Sequence, residues 1–356
     1  MRVVQWEIPG VGRRVGVGEG ETVRDITSVD RSLDRVSAVF DAACRDAVSF
    51  EKRLEQALEG GDPQRVGYAE LLSGRPGGED AFLHPPLDHP DPHYVLISGT
   101  GLTHTGGMKS RDQMHAGDPG AGEETTEAGL ESPAEPQTDS ARMFAMGLAG
   151  GKPEHGTRGA MPEWFYKGNG TMLRGPGGVV DLPAFGLDGG EEPEIAGLYV
   201  NDDSGTPRRV GMCIGNEFSD HIMEKKNYLY LAPCKLRMCA IGPELVTDPE
   251  VANVTGHVSV ARGDTAIWGR DVMSGEDNMC HSIANLEYHH FKYPGHRQPG
   301  DVHVHFFGAD AFSFGDGVAL ENGDIMEVVW NGFGRPLRNP IRIVTEPPKM
   351  FNIEPL

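Results

Sequence analysis

The sequence predicts an α+β protein that is mainly β. A small N-terminal α/β domain covers residues 1–90, and a larger β-roll or barrel catalytic domain covers 91–356. Three observations predict this. At 356 residues the chain exceeds one average domain. Sustained helical periodicity falls within the first 60 residues. From about residue 160 onward, short apolar runs such as GVVDLP, AGLYV, VGMCIG and ALENGDIMEVVW alternate with Gly, Pro and Asn-Asp turns, without a long amphipathic helix between them.

Taken in order, Val3 to Ile8 and Arg14 to Val17 read as short strands around a Pro-Gly turn. Leu33, Val36, Val39, Phe40, Ala43, Val48 and Phe50 recur at spacings of three and four, which predicts helix from Ser32 to Leu58 with a stop at Gly60-Gly61. The Pro-rich connector HPPLDHPDPH, 84–93, marks the domain boundary. A strand-like run, YVLISGTGLTHTGG, follows at 94–107. Residues 116–140 carry seven acids and no Lys, Arg or His, and are rich in Gly, Pro, Ser and Thr. That composition cannot bury an apolar face and predicts a mobile loop, either a lid or a tolerated insertion.

Composition excludes several classes of function. Hydrophobic residues make up 38% of the chain, enough for a packed core. The net charge of −21 argues against nucleic acid and anionic membranes, both of which need a basic footprint. Five cysteines, Cys44, Cys213, Cys234, Cys239 and Cys280, form no Cys-x-x-Cys pair, so neither a structural zinc site nor a disulfide framework is expected. The first residues lack an apolar signal region, and no run of 18 apolar residues occurs. The expectation is a soluble cytoplasmic enzyme.

The residues that bear chemistry cluster in the second half. Glu192 and Glu194 are two apart, which on a strand puts both carboxylates on one face. Like charges so placed invite a cation, and an all-oxygen site suits Mg²⁺ or Mn²⁺, although a solvated acidic turn explains the same spacing. Glu217 and Asp220 form a second acidic cluster after the run VGMCI. Lys235 sits in apolar sequence before Gly242-Pro243, where a buried ammonium needs a carboxylate or an anionic ligand. His303 and His305 share a strand face and with a third ligand could hold a transition metal. Substrate contacts or a packed polar core are the other readings.

Order adds what spacing does not. PEWFYK (162–167), Glu192/Glu194, Asn216 to Ser219, Lys235 with Gly242-Pro243, Pro299 to Val302 and GDIMEVVWNGFGRPLRNP (323–340) follow one another as in the fumarylacetoacetate hydrolase family, which the chain resembles from about 94 to 345. The resemblance implies that family's β-rich catalytic fold, a homodimer, and Mg²⁺ or Mn²⁺ held by Glu192, Glu194 and Glu217. Glu217 departs from the family's usual Asp, which leaves Asp220 as a substitute ligand. It also implies general acid–base roles for His104, in SGTGLTH, and for Lys235. The stretches MKSRDQM, KNYLYLAPCK and PGDVHVHFFG are similar to the sugar-acid dehydratase branch, and the resemblance suggests Arg111, Asp112 and His305, together with Lys167 at the end of PEWFYK, as substrate-binding residues. The implied activity is dehydration of a 2-keto-3-deoxy sugar acid, such as a 2-keto-3-deoxypentonate derived from L-arabinonate or D-xylonate. The product is a 2,5-dioxo acid, reached through a metal-stabilised enolate. A C–C hydrolase of a β-diketo acid is the alternative, and a non-catalytic sugar-acid binding protein a third.

Overall fold

The computed structural model describes residues 1–115 and 138–356, apart from the side chains of 110 and 112–115. Most of the acidic stretch expected as a mobile loop therefore lies outside the described residues. Its last residues differ from the expectation: Thr138 accepts a hydrogen bond from the Ala141 amide and opens a helix, Asp139–Gly150.

Strand Pro193–Asn201 is the centre of the molecule, with all nine residues buried. Pro207–Asn216 pairs antiparallel on one side and Val302–Phe306 antiparallel on the other. Beyond Val302–Phe306 lie Val95–Gly101, parallel to it, and then Glu163–Asn169. In the other direction the sheet continues through Leu245–Val246 to Arg2–Ile8, Gly12–Glu19, Thr22–Asp25 and Gln64–Gly67. This order is open, and among the described residues no strand closes it into a barrel.

Alternation along the central strand separates two cores. Ala196, Leu198 and Val200, with Val304 and Phe306, pack against Val36, Val39 and Leu54 of the N-terminal helices. Ile195, with Met212, Ile214 and Phe307, packs against Val258, Val260, Val328 and Trp330. These last belong to a second sheet in the order Thr265–Ser274, Val254–Arg262, Ile325–Trp330, Leu337–Ile343 and Val180–Leu182. The first 90 residues share the large sheet through the register Arg2↔Val246 and Val3↔Leu245. Val3, Val15, Ile26 and Leu33 join one core with Ile97 and Leu198, while Val4, Trp6, Val23, Tyr68, Leu71 and Leu83 form a separate cluster.

Two local expectations change. The helical stretch expected over 32–58 is broken into Val36–Arg45 and Phe50–Glu59. The periodicity is continuous, but Ala47 takes a left-handed φ of 53° and the Ser49 side chain accepts from the Lys52 amide, so the chain stops and restarts. In the β-rich half, helices His221–Lys226, Leu231–Lys235 and Ile283–Phe291 interrupt the strands. All three are too short to carry a strong periodic signal. Replacing the cap, Ser49→Ala, is expected to lower stability by about 1 kcal/mol. A denaturant midpoint unchanged from the parent protein would show that the break does not depend on the cap.

Candidate active site

The site forms where strand Pro193–Asn201 begins and its antiparallel partner Pro207–Asn216 ends. Their register places Pro193 opposite Asn216 and Glu194 opposite Gly215. Glu192 and Glu217 therefore flank the pair, and the Glu217 amide donates to the Glu192 carbonyl at 3.0 Å. The chain then turns sharply: Phe218, fully buried, has a φ of 22°. The result is that Glu192, Glu194 and Glu217, 25 residues apart at the extremes, offer carboxylate oxygens within 4.8 Å of one another, all buried. Glu191 takes no part, because its carboxylate accepts from the Ser313 amide and hydroxyl at 2.7 and 2.8 Å.

Two lysines and a histidine meet these acids. Lys235, ending the helix Leu231–Lys235, donates from Nζ to Glu192 Oε1 and Glu217 Oε2, both at 2.6 Å. Its ammonium stands 4.7 Å above the Phe165 ring. Lys167 Nζ lies 2.6 Å from Glu217 Oε1 and donates to the Phe218 carbonyl. His221 Nε2 is 3.1 Å from Glu192 Oε1.

The charges sort themselves accordingly. Burial opposes the charge on Glu192, but Lys235 and His221 outweigh it and hold the carboxyl well below its ordinary range. Burial also lowers Lys235, yet Glu192 and Glu217 raise it well above the usual lysine value. His221 is lowered by burial, and its contacts with Asp188 and Glu192 carry it up to about 9. Glu194 differs from its neighbours. Burial, and then the charges of Glu217 and Glu192, push it well above the carboxylate range. Its hydrogen bond among the described residues comes from the Gly308 amide.

Three buried carboxylates, one of them pushed upward by burial and then by its like-charged neighbours, form an all-oxygen donor set that fits a hard divalent cation such as Mg²⁺ or Mn²⁺. Asp220, the substitute ligand, is turned away and occupied. It caps helix His221–Lys226 through the Met223 amide, and it accepts from the Leu187 amide and Arg237.

Beside this cluster, Glu163, Phe165 and Lys167 project from one strand at a spacing of two. Arg111 is buried between Glu163 (2.8 and 2.9 Å) and Glu224 (2.8 Å). The Asp112 side chain lies outside the described residues. Glu163, His221 and Glu224 were not singled out from the sequence. The period-two pattern in PEWFYK carries a signal for Glu163. The helical i, i+3 spacing of His221 and Glu224 is too common to carry one.

Two of the expected residues stand apart from the carboxylates. His104 is buried, with Nδ1 2.8 Å from the Thr103 hydroxyl and Nε2 3.3 Å from that of Ser274. Burial pushes it down to about 3, so it is neutral. Thr103 in turn donates to the Phe307 carbonyl, one residue from the Gly308 amide that reaches Glu194. His305 pairs with Gly197, whereas Phe306 pairs with Ala196, on the face of Glu194. Alternation therefore puts His305 on the opposite face of the central sheet. There it meets the Ser98 hydroxyl at 2.9 Å and stacks on His290 at 4.5 Å. His303 joins the same group through His290 at 3.0 Å, a packed polar core.

No family model matches the chain, and no curated protein is a significant sequence match. Solved structures do match. A 2-keto-3-deoxy-D-arabinonate dehydratase complexed with magnesium and 2,5-dioxopentanoate aligns over 97% of this chain and 100% of its own at 18% identity, with a TM-score of 0.65. A fumarylacetoacetate hydrolase from Exiguobacterium antarcticum aligns over 97% and 100% at 17% identity and 0.57. A maleylpyruvate hydrolase from Sphingobium sp. SYK-6, with manganese(II) and pyruvate, aligns over 96% and 99% at 16% identity and 0.56. The chain has the fold of these enzymes. Among the described residues no helix is long and apolar enough to cross a membrane.

The raised carboxyl of Glu194 sets the sign of a pH effect. Its proton persists above the ordinary carboxylate range, so a cation that uses Glu194 must displace it. Mn²⁺ affinity is expected to weaken as pH falls through that raised range, with proton release on binding. Calorimetry in buffers of different ionisation enthalpy measures both, and pH-independent affinity would contradict the assignment. Glu194→Gln is expected to weaken Mn²⁺ binding at least 10-fold.

Proposed function

We propose that the protein is a Mg²⁺- or Mn²⁺-dependent hydro-lyase that dehydrates a 2-keto-3-deoxy sugar acid to a 2,5-dioxo acid. The observation that carries the reading is the set of three buried carboxylates on one sheet face, bridged by a buried lysine. The full-length likeness to a dehydratase, whose structure holds magnesium and 2,5-dioxopentanoate, supports it. Glu192, Glu194 and Glu217 would hold the metal. When bound it would supply Lewis acidity to the carboxylate and keto oxygen of a 2-oxo acid.

The chain's own groups have separable tasks in this reading. Lys235 is kept protonated by Glu192 and Glu217, so it serves as a cation toward an anionic substrate and as a proton donor to a departing hydroxyl. His104 is kept neutral by burial and can accept a proton. The Thr103 hydroxyl donates to the Phe307 carbonyl and so accepts from His104 Nδ1–H, which ties the ring to the 307–308 turn that supports Glu194 and leaves Nε2, beside Ser274, as the nitrogen able to take a proton. Arg111 is held rigidly by Glu163 and Glu224, and Lys167 by Glu217, so both shape the electrostatics of the wall that a substrate meets. His305 and His303 have no task here. Asp112 adjoins Arg111 on the same helix and remains a candidate substrate contact.

The likeness to two hydrolases favours one second reading, cleavage of a C–C bond in a β-diketo acid. Product analysis separates the two. With a 2-keto-3-deoxypentonate and Mg²⁺, a 2,5-dioxo acid is expected, lost on chelation and restored by Mg²⁺ or Mn²⁺. Cleavage of a β-diketo acid to pyruvate and a second carboxylic acid, with no dehydration of the sugar acid, would overturn the dehydratase reading. Lys235→Ala is expected to lower kcat by about 10²–10⁴-fold, the range of a positioned acid or base. An Ala variant with unchanged kcat would remove Lys235 from the chemistry.

A further inference from the structure

His221 touches one of the three clustered glutamates, yet it is held on every side. Its Nε2 donates to Glu192 Oε1 at 3.1 Å, because an ionised carboxylate can only accept. Its Nδ1 lies 3.8 Å from Asp188 Oδ2. The ring stacks on Phe312, with 4.7 Å between centroids and 3° between planes, and on Phe314 at 5.2 Å and 23°.

The residues next to Glu192 build this seat. Glu191 accepts from the Ser313 amide and hydroxyl, which fixes the residue between Phe312 and Phe314. Gly190 lies against the edge of the imidazole. A Cβ there would stand 2.7 Å from His221 Nδ1 and 2.8 Å from Cε1, so any side chain would displace the ring. Three successive residues thus make room for the histidine, hold the rings that stack on it and receive its hydrogen bond. An apolar ring would fill the same space. What the imidazole adds is a donor aimed at one oxygen.

That donor decides how Glu192 can meet a cation. A carboxylate oxygen accepts two hydrogen bonds. Glu192 Oε1 takes Lys235 at 2.6 Å and His221 at 3.1 Å and is full, which leaves Oε2. Glu217 Oε2 is full in the same way, with Lys235 at 2.6 Å and the Ser219 hydroxyl at 2.9 Å. Glu194 Oε2 carries the Gly308 amide. The protein's own donors therefore leave each acid to offer a single oxygen. Mg²⁺ takes single oxygens in a compact octahedron, and Mn²⁺ suits the same octahedral oxygen set, whereas the larger Ca²⁺ readily takes both oxygens of one carboxylate.

We propose that His221 is a positioning residue for ion selection. By filling Glu192 Oε1 it keeps Glu192 a one-oxygen ligand, and so favours Mg²⁺ or Mn²⁺ over Ca²⁺. Without it Oε1 regains a lone pair, and Glu192 can turn both oxygens to a cation. The inference rests on the reading of Glu192, Glu194 and Glu217 as metal ligands.

Calorimetry with Mn²⁺, Mg²⁺ or Ca²⁺ alone, on the metal-free full chain, tests this with three variants. His221→Phe keeps a ring for the stack and removes the donor. Gly190→Ala displaces the imidazole. His221→Gln puts an amide donor back. His221→Phe and Gly190→Ala are expected to lower the ratio of Mn²⁺ to Ca²⁺ affinity by about 10-fold or more, the scale of a lost partner to a metal ligand. The change should come from weaker Mn²⁺ binding with Ca²⁺ binding held or improved, and with unchanged circular dichroism. His221→Gln is expected to keep most of the ratio. An equal loss for both ions, an unchanged ratio in His221→Phe and Gly190→Ala, or a His221→Gln variant no better than His221→Phe would overturn the positioning role and leave the metal site standing. A parent protein that binds none of the three ions would overturn both.

Discussion

The structure depends on bringing three glutamates into a space from which water is excluded. Each buried carboxylate loses its hydration, and repulsion among three of them adds to that loss. Lys235 and Lys167 offset it at three of the four oxygens of Glu192 and Glu217 that matter here, through contacts of 2.6 Å. Removing one partner of such a buried pair typically costs about 3–5 kcal/mol, because the other charge is left behind. The lysines are therefore bound to the acids by stability as well as by function. Glu194, which has no ion pair among the described residues, is instead pushed well above the carboxylate range by burial and by Glu217 and Glu192. The cluster is poised: two acids are neutralised by protein and the third is left for something that the chain itself does not supply.

The rest of the fold serves that constraint. The central strand is buried on both faces, so its end is shielded and its alternation rigid. One face carries the acids above an aromatic floor of Phe165 and Phe306, close enough that Gly99 and Gly215 could not carry a Cβ without meeting those rings at 2.5 Å. The other face seals the back with the second sheet, and the Trp330 indole donates to the Glu194 carbonyl at 3.0 Å. A metal or substrate pulling on Glu194 thus works against a strand anchored from behind.

Much of this was legible in the sequence. Glu192 and Glu194 face the same way because strands repeat every two residues, and that needed no coordinates. Lys235 called for a carboxylate or an anionic ligand, because burying an unpaired ammonium is costly. Other features were not legible. His303 and His305 have the same spacing as the two glutamates, yet they lie behind the sheet. Spacing says that two residues share a face but not which face. Helix Ile283–Phe291 is nine residues long, and its stop and start depend on the Ser282 cap and on burial against the sheet.

The sequence alone determined the chemistry available: carboxylates at a strand period, a lysine in apolar surroundings, a mainly β chain after a small α/β beginning. Local periodicity and side-chain type carry those facts, and both are properties of neighbours in the chain. Only the tertiary structure decided which groups meet. Glu217 reaches Glu194 because antiparallel pairing sets Glu194 opposite Gly215. Asp220, three residues later, is turned into a helix cap by the sharp bend at Phe218. Register and backbone direction across sequence-distant strands are set by packing of the whole sheet, and no short stretch of residues encodes them.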